Sequence, residues 1–137
     1  MHPHEINLVK TSFAKVAPIA DTAAIIFYDT LFERDPALRS LFADDLTEQR
    51  RKLMMMLGTA VNSLDNWAAV AGHVQALGAR HVSYGVTRAD YDTVGAALIE
   101  TLSIGLGDEF TPAVRAAWVA CYAVVSGEML AAAEQVA

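Results

Sequence analysis

The stretch Val74–Gly85, VQALGARHVSYG, decides how the rest of the chain is read. At helical spacing Val74, Leu77 and His81 share one face, so an imidazole stands in line with apolar side chains. A histidine on such a face has two explanations. It is a core histidine with a hydrogen-bond partner, the commoner arrangement, or an axial ligand to a flat, apolar cofactor lying against that face. The stretch alone leaves both open. Gly78 in its interior weakens the helix by about 1 kcal/mol relative to alanine, so this helix must be held by whatever it packs on.

Working outward, 137 residues suffice for one domain, 1–137, with a single sizeable core. Hydrophobic residues make up 54% and charged residues 19%, more apolar matter than a minimal bundle needs. No uninterrupted apolar run reaches the roughly 18 residues of a membrane span, and Asp21 and Asp29 break up AAIIF. The start, MHPHEINLVK, lacks a basic segment followed by an apolar one, so no secretion signal is expected. The single cysteine, Cys121, excludes an internal disulfide and reads as a small buried helix residue, with a cytoplasmic setting as the expectation. The net charge of −6 and the short basic cluster Arg50-Arg51-Lys52 exclude a nucleic-acid footprint.

In chain order, His2 and His4 read as a fraying end, and Ile6, Val9, Phe13 and Val16 mark an amphipathic helix from Glu5. Pro18 fits the first turn of a second helix, ADTAAIIFYDTLFERD, with Ala24, Phe27, Tyr28, Leu31 and Phe32 inward. Pro36 ends it and opens a short helical segment, PALRSLF, followed by a turn at ADD. Thr47 is the expected cap of a helix to about Leu64 with Leu53, Leu57, Val61 and Leu64 inward and Gln49 on the same face. The segment 67–72 reads as irregular or briefly helical, and Gly85 breaks the His81 helix. A long helix from about Arg88 turns Tyr91, Val94, Leu98 and Leu102 inward and stops at the glycines of SIGLGDEF. Thr111-Pro112 caps the last helix, which shows Val114, Trp118, Tyr122, Val125 and Met129 at near-ideal spacing. No alternating strand pattern occurs. The fold class is all-α, with six to seven helices.

Most site chemistries drop out. There is no CxxC, no HExxH and no histidine pair at helical spacing. Cys121 has apolar neighbours and no credible catalytic dyad, and the glycines of GLGDEF do not follow a strand. What remains is a greasy helical core with a sparse polar set, His81, Gln49, Tyr28, Tyr91 and Tyr122, which suits one bulky apolar ligand with a polar reacting atom.

Several blocks resemble the single-domain bacterial globins of the flavohaemoglobin type: FYDTLFERDPALRSLF, EQRRKLM, ARHVSYGV, ADYDTVGAALIETL and AAWVACY, in the family's order along almost the whole chain. The resemblance implies a globin fold, six to seven helices packed around one haem b. It implies that His81 is the proximal iron ligand, Phe42 the ring stacked on haem, Tyr28 the distal hydroxyl that donates to a bound gas, and Gln49 the amide supporting it. Leu53 corresponds to the apolar residue above the iron. Met56, Leu57, Leu77, Val86, Val94, Leu98 and Tyr122 correspond to residues that pack the macrocycle, and Tyr91 to an inward tyrosine beside the proximal histidine. Arg80 corresponds to a propionate partner, with an exposed arginine as the plain alternative.

Two departures stand out. The family's glutamate on the last helix falls at Ala133, with Glu134 one residue later, and one residue turns a side chain by about 100°. The flavin and nicotinamide domains of flavohaemoglobins have no counterpart before Ala137. The implied function is reversible binding of dioxygen and of NO and CO, with conversion of nitric oxide to nitrate where a separate reductase restores ferrous iron. A haem-based sensor or interaction module is the alternative, and a globin that has lost haem a third reading, against which His81 and Phe42 speak. A second axial histidine is not expected, because Gln49 holds the distal position and His73 reads as surface. Monomer and homodimer are both compatible with the sequence.

Overall fold

Among the described residues, six α-helices form where apolar residues recur at intervals of three and four. In the computed structural model they are α1 (Pro3–Val16), α2 (Ala20–Arg34), α3 (Thr47–Asn62), α4 (Ala71–Ser83), α5 (Arg88–Leu106) and α6 (Pro112–Val136). Short 3₁₀ turns at Ala17–Ile19, Pro36–Leu41, Leu64–Ala69 and Gly107–Glu109 join them. Residues 1–136 are described, the side chains of Ser83 and Val136 excepted, and among them there is no strand. The chain is all-α, as its sequence indicates.

Local chemistry sets the helix ends. Thr87 and Asp90 form a reciprocal capping box at α5, with the Thr87 N–H on the Asp90 carboxylate at 2.8 Å. The Thr111 hydroxyl receives the Val114 N–H at 3.2 Å before Pro112 opens α6. Gly85 (φ +83°) supplies the left-handed residue that turns the chain after α4. Two expected boundaries move. Helix α1 starts at Pro3, because proline suits a first turn and Glu5 accepts the His2 N–H at 2.9 Å. At α3 the capping carboxylate is Asp45, which accepts both the N–H and the hydroxyl of Thr47; Thr47 is the first helical residue.

Helix α2 packs across α5 and along α3, α1 crosses α6, and α4 lies along α6. The core centres on Trp118, fully buried, whose indole N–H donates to the Ser12 hydroxyl at 2.8 Å and ties α6 to α1. Helix α6 also revises one reading of the sequence. Pro112–Gln135 is long and apolar enough to cross a bilayer by length and composition, with a mean hydropathy of 1.5. Counting uninterrupted apolar runs missed it, because Arg115 and Glu128 interrupt the run without offsetting its average. In this fold the helix is a core element, with Val114, Ala117, Trp118, Cys121 and Met129 buried.

The glycine inside α4 has a purpose. A Cβ placed on Gly78 would overlap the Met129 carbonyl oxygen and lie 2.6 Å and 2.7 Å from the Met129 Cα and carbonyl carbon. Only a residue without a side chain lets α4 press onto the backbone of α6. Gly58 on α3 differs, since its Cβ would make ordinary contact with the Phe13 ring at 3.6 Å. Chemical denaturation should therefore separate the two. Gly78→Ala is expected to destabilise the chain by about 1–3 kcal/mol through overpacking, whereas Gly58→Ala should stabilise it by about 0.5–1 kcal/mol through helix propensity.

Candidate functional site

The site is built from His81 outward. Its Nδ1 lies 2.7 Å from the Leu77 carbonyl oxygen, one turn earlier on α4. A peptide carbonyl only accepts, so Nδ1 carries the proton and Nε2 keeps a free lone pair. Burial is the main cause holding the imidazole pKa below its ordinary value, with the Arg80 charge adding to it against the Leu77 contact. The ring is therefore a neutral donor atom aimed off the helix. On its flanks stand Tyr84, 54% exposed, with ring centroids 5.6 Å apart, and Tyr91 of α5 at 6.4 Å.

A second group comes from α2, α3 and the turn between them. Tyr28 is 4% exposed, and the Gln49 side-chain amide donates to its hydroxyl oxygen at 3.1 Å. With that oxygen already serving as acceptor, the phenolic hydrogen is left to point elsewhere. Burial raises the Tyr28 pKa more than the Gln49 contact lowers it, so the phenol stays protonated. Phe27 and Phe42 meet the Tyr28 ring edge-on at 5.0 and 5.6 Å, and Phe32 meets Phe42 at 5.5 Å. The turn bearing Phe42 is clamped by Arg39, which donates to the carbonyls of Phe42, Ala43 and Asp44 at 3.3, 2.8 and 2.9 Å while lying over the Phe32 ring.

Between these groups the apolar packing divides. One cluster contains Tyr28, with Phe42, Leu53, Leu57, Leu98 and Val94 in or against it. The other comprises Val74, Tyr91 and Met129, with Leu77 and Val86 against it. Trp67 touches both clusters. Helices α3 and α4, which carry Gln49 and His81, pack on other helices and are not a packed pair. Leu53, Leu57, Leu77 and Val86 are consequently only half-buried, and Met56 is 37% exposed. The Tyr91 hydroxyl is buried beside His81 with no hydrogen-bond partner among the described residues. A divided apolar core, a neutral imidazole nitrogen and an orphaned hydroxyl fit a flat apolar group with a metal at its centre.

The structure sorts the remaining site residues. Arg80 is exposed, one residue before His81 on α4. His73 is exposed as well. Tyr122 lies elsewhere than at the His81 face: its ring covers Gly95, its hydroxyl donates to the Tyr91 carbonyl at 2.5 Å, and it lines an outer groove. Helical spacing turns it inward but does not say against which neighbour, and here it fastens α5 to α6. Glu134 forms an exposed ion pair with Arg88 at 2.5 Å, so the one-residue offset removes it from Tyr91. Cys121 is buried, its thiol pushed up to about 12 by burial. No cluster of three metal-ligating side chains occurs among the described residues. Reading the sequence alone missed Arg39, whose acceptors are peptide carbonyls that any residue supplies, and Tyr84, which falls off the apolar face.

An all-helical protein with a neutral histidine against one apolar cluster and a tyrosine–glutamine pair in another belongs to a known class. A model of the globin family matches residues 25–129, and the chain belongs to the globin family, whose members bind haem. Neuroglobin of Danio rerio is 27% identical over 90% of this chain and 86% of its own length. Neuroglobin-1 of Oncorhynchus mykiss is 27% identical over 91% and 87%. Among solved structures, a bacterial globin from Campylobacter jejuni superposes with a TM-score of 0.88 at 20% identity over 98% of both chains. An engineered carbene transferase, described as a candidate nitric oxide dioxygenase from Rhodothermus marinus, superposes at 0.90 with 25% identity over 99% of this chain and 95% of its own.

The clamp on the Phe42 turn is open to test. Arg39→Ala removes three charge-assisted donors, so transfer of haem from the chain to an acceptor globin should run about tenfold faster, without loss of helix content.

Proposed function

We propose that this globin holds haem b between α3 and α4, binds dioxygen, NO and CO reversibly, and is of the single-domain flavohaemoglobin type. The observation that carries the reading is the hydrogen bond from the half-buried Gln49 amide to the buried Tyr28 hydroxyl. Haem, when bound through His81 Nε2, supplies the iron at which a diatomic gas is taken up. The protein supplies the rest. Leu77 fixes the tautomer and orientation of His81 through Nδ1. Phe42 offers a ring held by Arg39 and by the aromatic cluster. Leu53 and Leu57 keep the gas side apolar, which strengthens any hydrogen bond formed there.

Gln49 occupies the Tyr28 oxygen as donor and so frees the phenolic hydrogen for a partly negative acceptor. Dioxygen is such an acceptor and CO is a poor one, so the pair favours dioxygen. The same arrangement supports conversion of nitric oxide to nitrate. Dioxygen, nitric oxide and one electron combine to give nitrate, and a separate reductase returns that electron in each turnover. The description of the Rhodothermus marinus relative as a candidate nitric oxide dioxygenase is in keeping with this chemistry.

Optical spectra of the ferric, ferrous and oxygenated chain, followed by nitric oxide consumption with and without an added reductase, test the proposal. A chain that takes up no haem when haem is supplied overturns it. Tyr28→Phe should speed dioxygen release about tenfold to a hundredfold, the effect of losing a hydrogen bond to a charged acceptor, and leave CO release nearly unchanged. Gln49→Leu should produce most of the same effect, with the double variant little worse than either, because the two residues act as one unit. Dioxygen release unaffected by Tyr28→Phe removes the assignment of Tyr28.

A further inference from the structure

The imidazole of His81 is tied to its own helix through Leu77, but its peptide is held from the other direction, by residues 84–87 between α4 and α5. The His81 carbonyl accepts the N–H of Tyr84 at 3.2 Å and that of Val86 at 3.1 Å. The Val82 carbonyl accepts the N–H of Gly85, also at 3.1 Å. Two carbonyls of the last turn are thus satisfied from beyond the helix, and this closed end requires a left-handed residue at position 85. Gly85 supplies it, at φ +83°. A Cβ there would meet Leu41 Cδ2 at 4.0 Å, an ordinary contact, so the obstacle to a side chain is the backbone angle and not space. Val86 then joins the apolar cluster of Val74, Tyr91 and Met129, and Thr87 caps α5. The connection is anchored immediately after it grips His81.

Helix α4 cannot hold this turn unaided. It has 13 residues with Gly78 among them, and a helix of about that length is marginal by itself. The seam with α6 supports its middle, at Gly78, whereas His81 lies in the last turn, where helices fray. There the Leu77 carbonyl and the His81 peptide keep their register only while the end is closed. The same closed end sets Tyr84, whose ring stands beside the imidazole.

We infer that Gly85 is a positioning residue for the His81 imidazole. Its left-handed conformation closes the end of α4 on the His81 carbonyl and thereby fixes where Nε2 points. The spectroscopic arm of the test rests on His81 as the iron ligand; the closed end is a property of the chain alone.

Three variants of the full chain decide it: Gly85→Ala, Gly85→Asn and Gly107→Ala. Alanine takes up the left-handed conformation about five- to thirtyfold less readily than glycine, whereas asparagine tolerates it. Gly107 (φ +55°) ends α5 about 24 Å along that helix from Tyr91, so its replacement strains the backbone away from His81. In Gly85→Ala the Val86 amide should exchange its proton about five- to thirtyfold faster. The ferrous, haem-loaded variant should also show a shifted or broadened iron–histidine stretching band. Gly85→Asn should restore both readings, and Gly107→Ala, although less stable to denaturant, should leave both unchanged. The inference is overturned if Gly85→Ala loses stability with the band unmoved, if Gly107→Ala moves the band equally, or if Gly85→Asn fails to restore it. Amide exchange needs no iron. A chain that takes up no haem ends the proposed function, and an equally protected Val86 amide in Gly85→Ala then overturns this inference separately.

Discussion

The contact on which the site depends is that of Gly78 with the backbone of Met129. Helix α4 carries the histidine, yet it rests on α6 and on the 3₁₀ turn before it, and on little else. A short helix with a glycine at its centre has little intrinsic stability. Its order comes from the seam with α6, where the absence of a side chain allows backbone to meet backbone. The position of His81 relative to Tyr28 and Gln49 is then fixed at second hand. Trp118 and Ser12 anchor α6 to α1, α6 carries α4, and α4 carries the ring. Nothing on the Tyr28 side needs to touch α4 for that chain of contacts to hold.

The two halves of the site are stiffened by different means. On the His81 side the ring is tied to a carbonyl of its own helix, so ring and helix turn together. On the Tyr28 side the fixing is aromatic and electrostatic: edge-on rings around Tyr28, and one guanidinium gathering three carbonyls beneath Phe42. The first device uses a backbone carbonyl, and the second uses the partly exposed Arg39 guanidinium, whose charge is directed at peptide carbonyls.

How much of this was legible in the sequence depends on the kind of interaction. Helical spacing located α5 and α6 well, since Thr87, Gly85 and Thr111-Pro112 act within a few residues of themselves. It also put Tyr28, Gln49 and His81 on inward faces. What it could not supply was the identity of long-range partners. Gly78 read as a weakness because the residue that makes it necessary lies 51 positions away. Tyr122 read as a wall of the cofactor pocket because its period is that of a core residue, whereas its hydroxyl is taken by a carbonyl of α5. Thr47 is not the cap because its N–H and its hydroxyl both donate to the Asp45 carboxylate two residues earlier, which draws it into the first turn. The family resemblance implied the globin fold, which the structure shows, and the offset at Ala133 marked one position where this chain departs from that family's pattern.

That offset has an electronic consequence. With Glu134 engaged by Arg88 at the surface and the Tyr91 hydroxyl without a partner among the described residues, the one hydrogen-bond acceptor on the His81 ring among those residues is the Leu77 peptide oxygen. A carbonyl is too weak a base to draw the second proton from imidazole, so the ligand remains neutral and does not approach imidazolate. Imidazolate would stabilise the ferric state and push electrons towards a bound oxygen pair. A neutral ring leaves the redox poise higher and the ferrous state easier to keep. Under the proposed function, one step of register on α6 favours holding oxygen over breaking it.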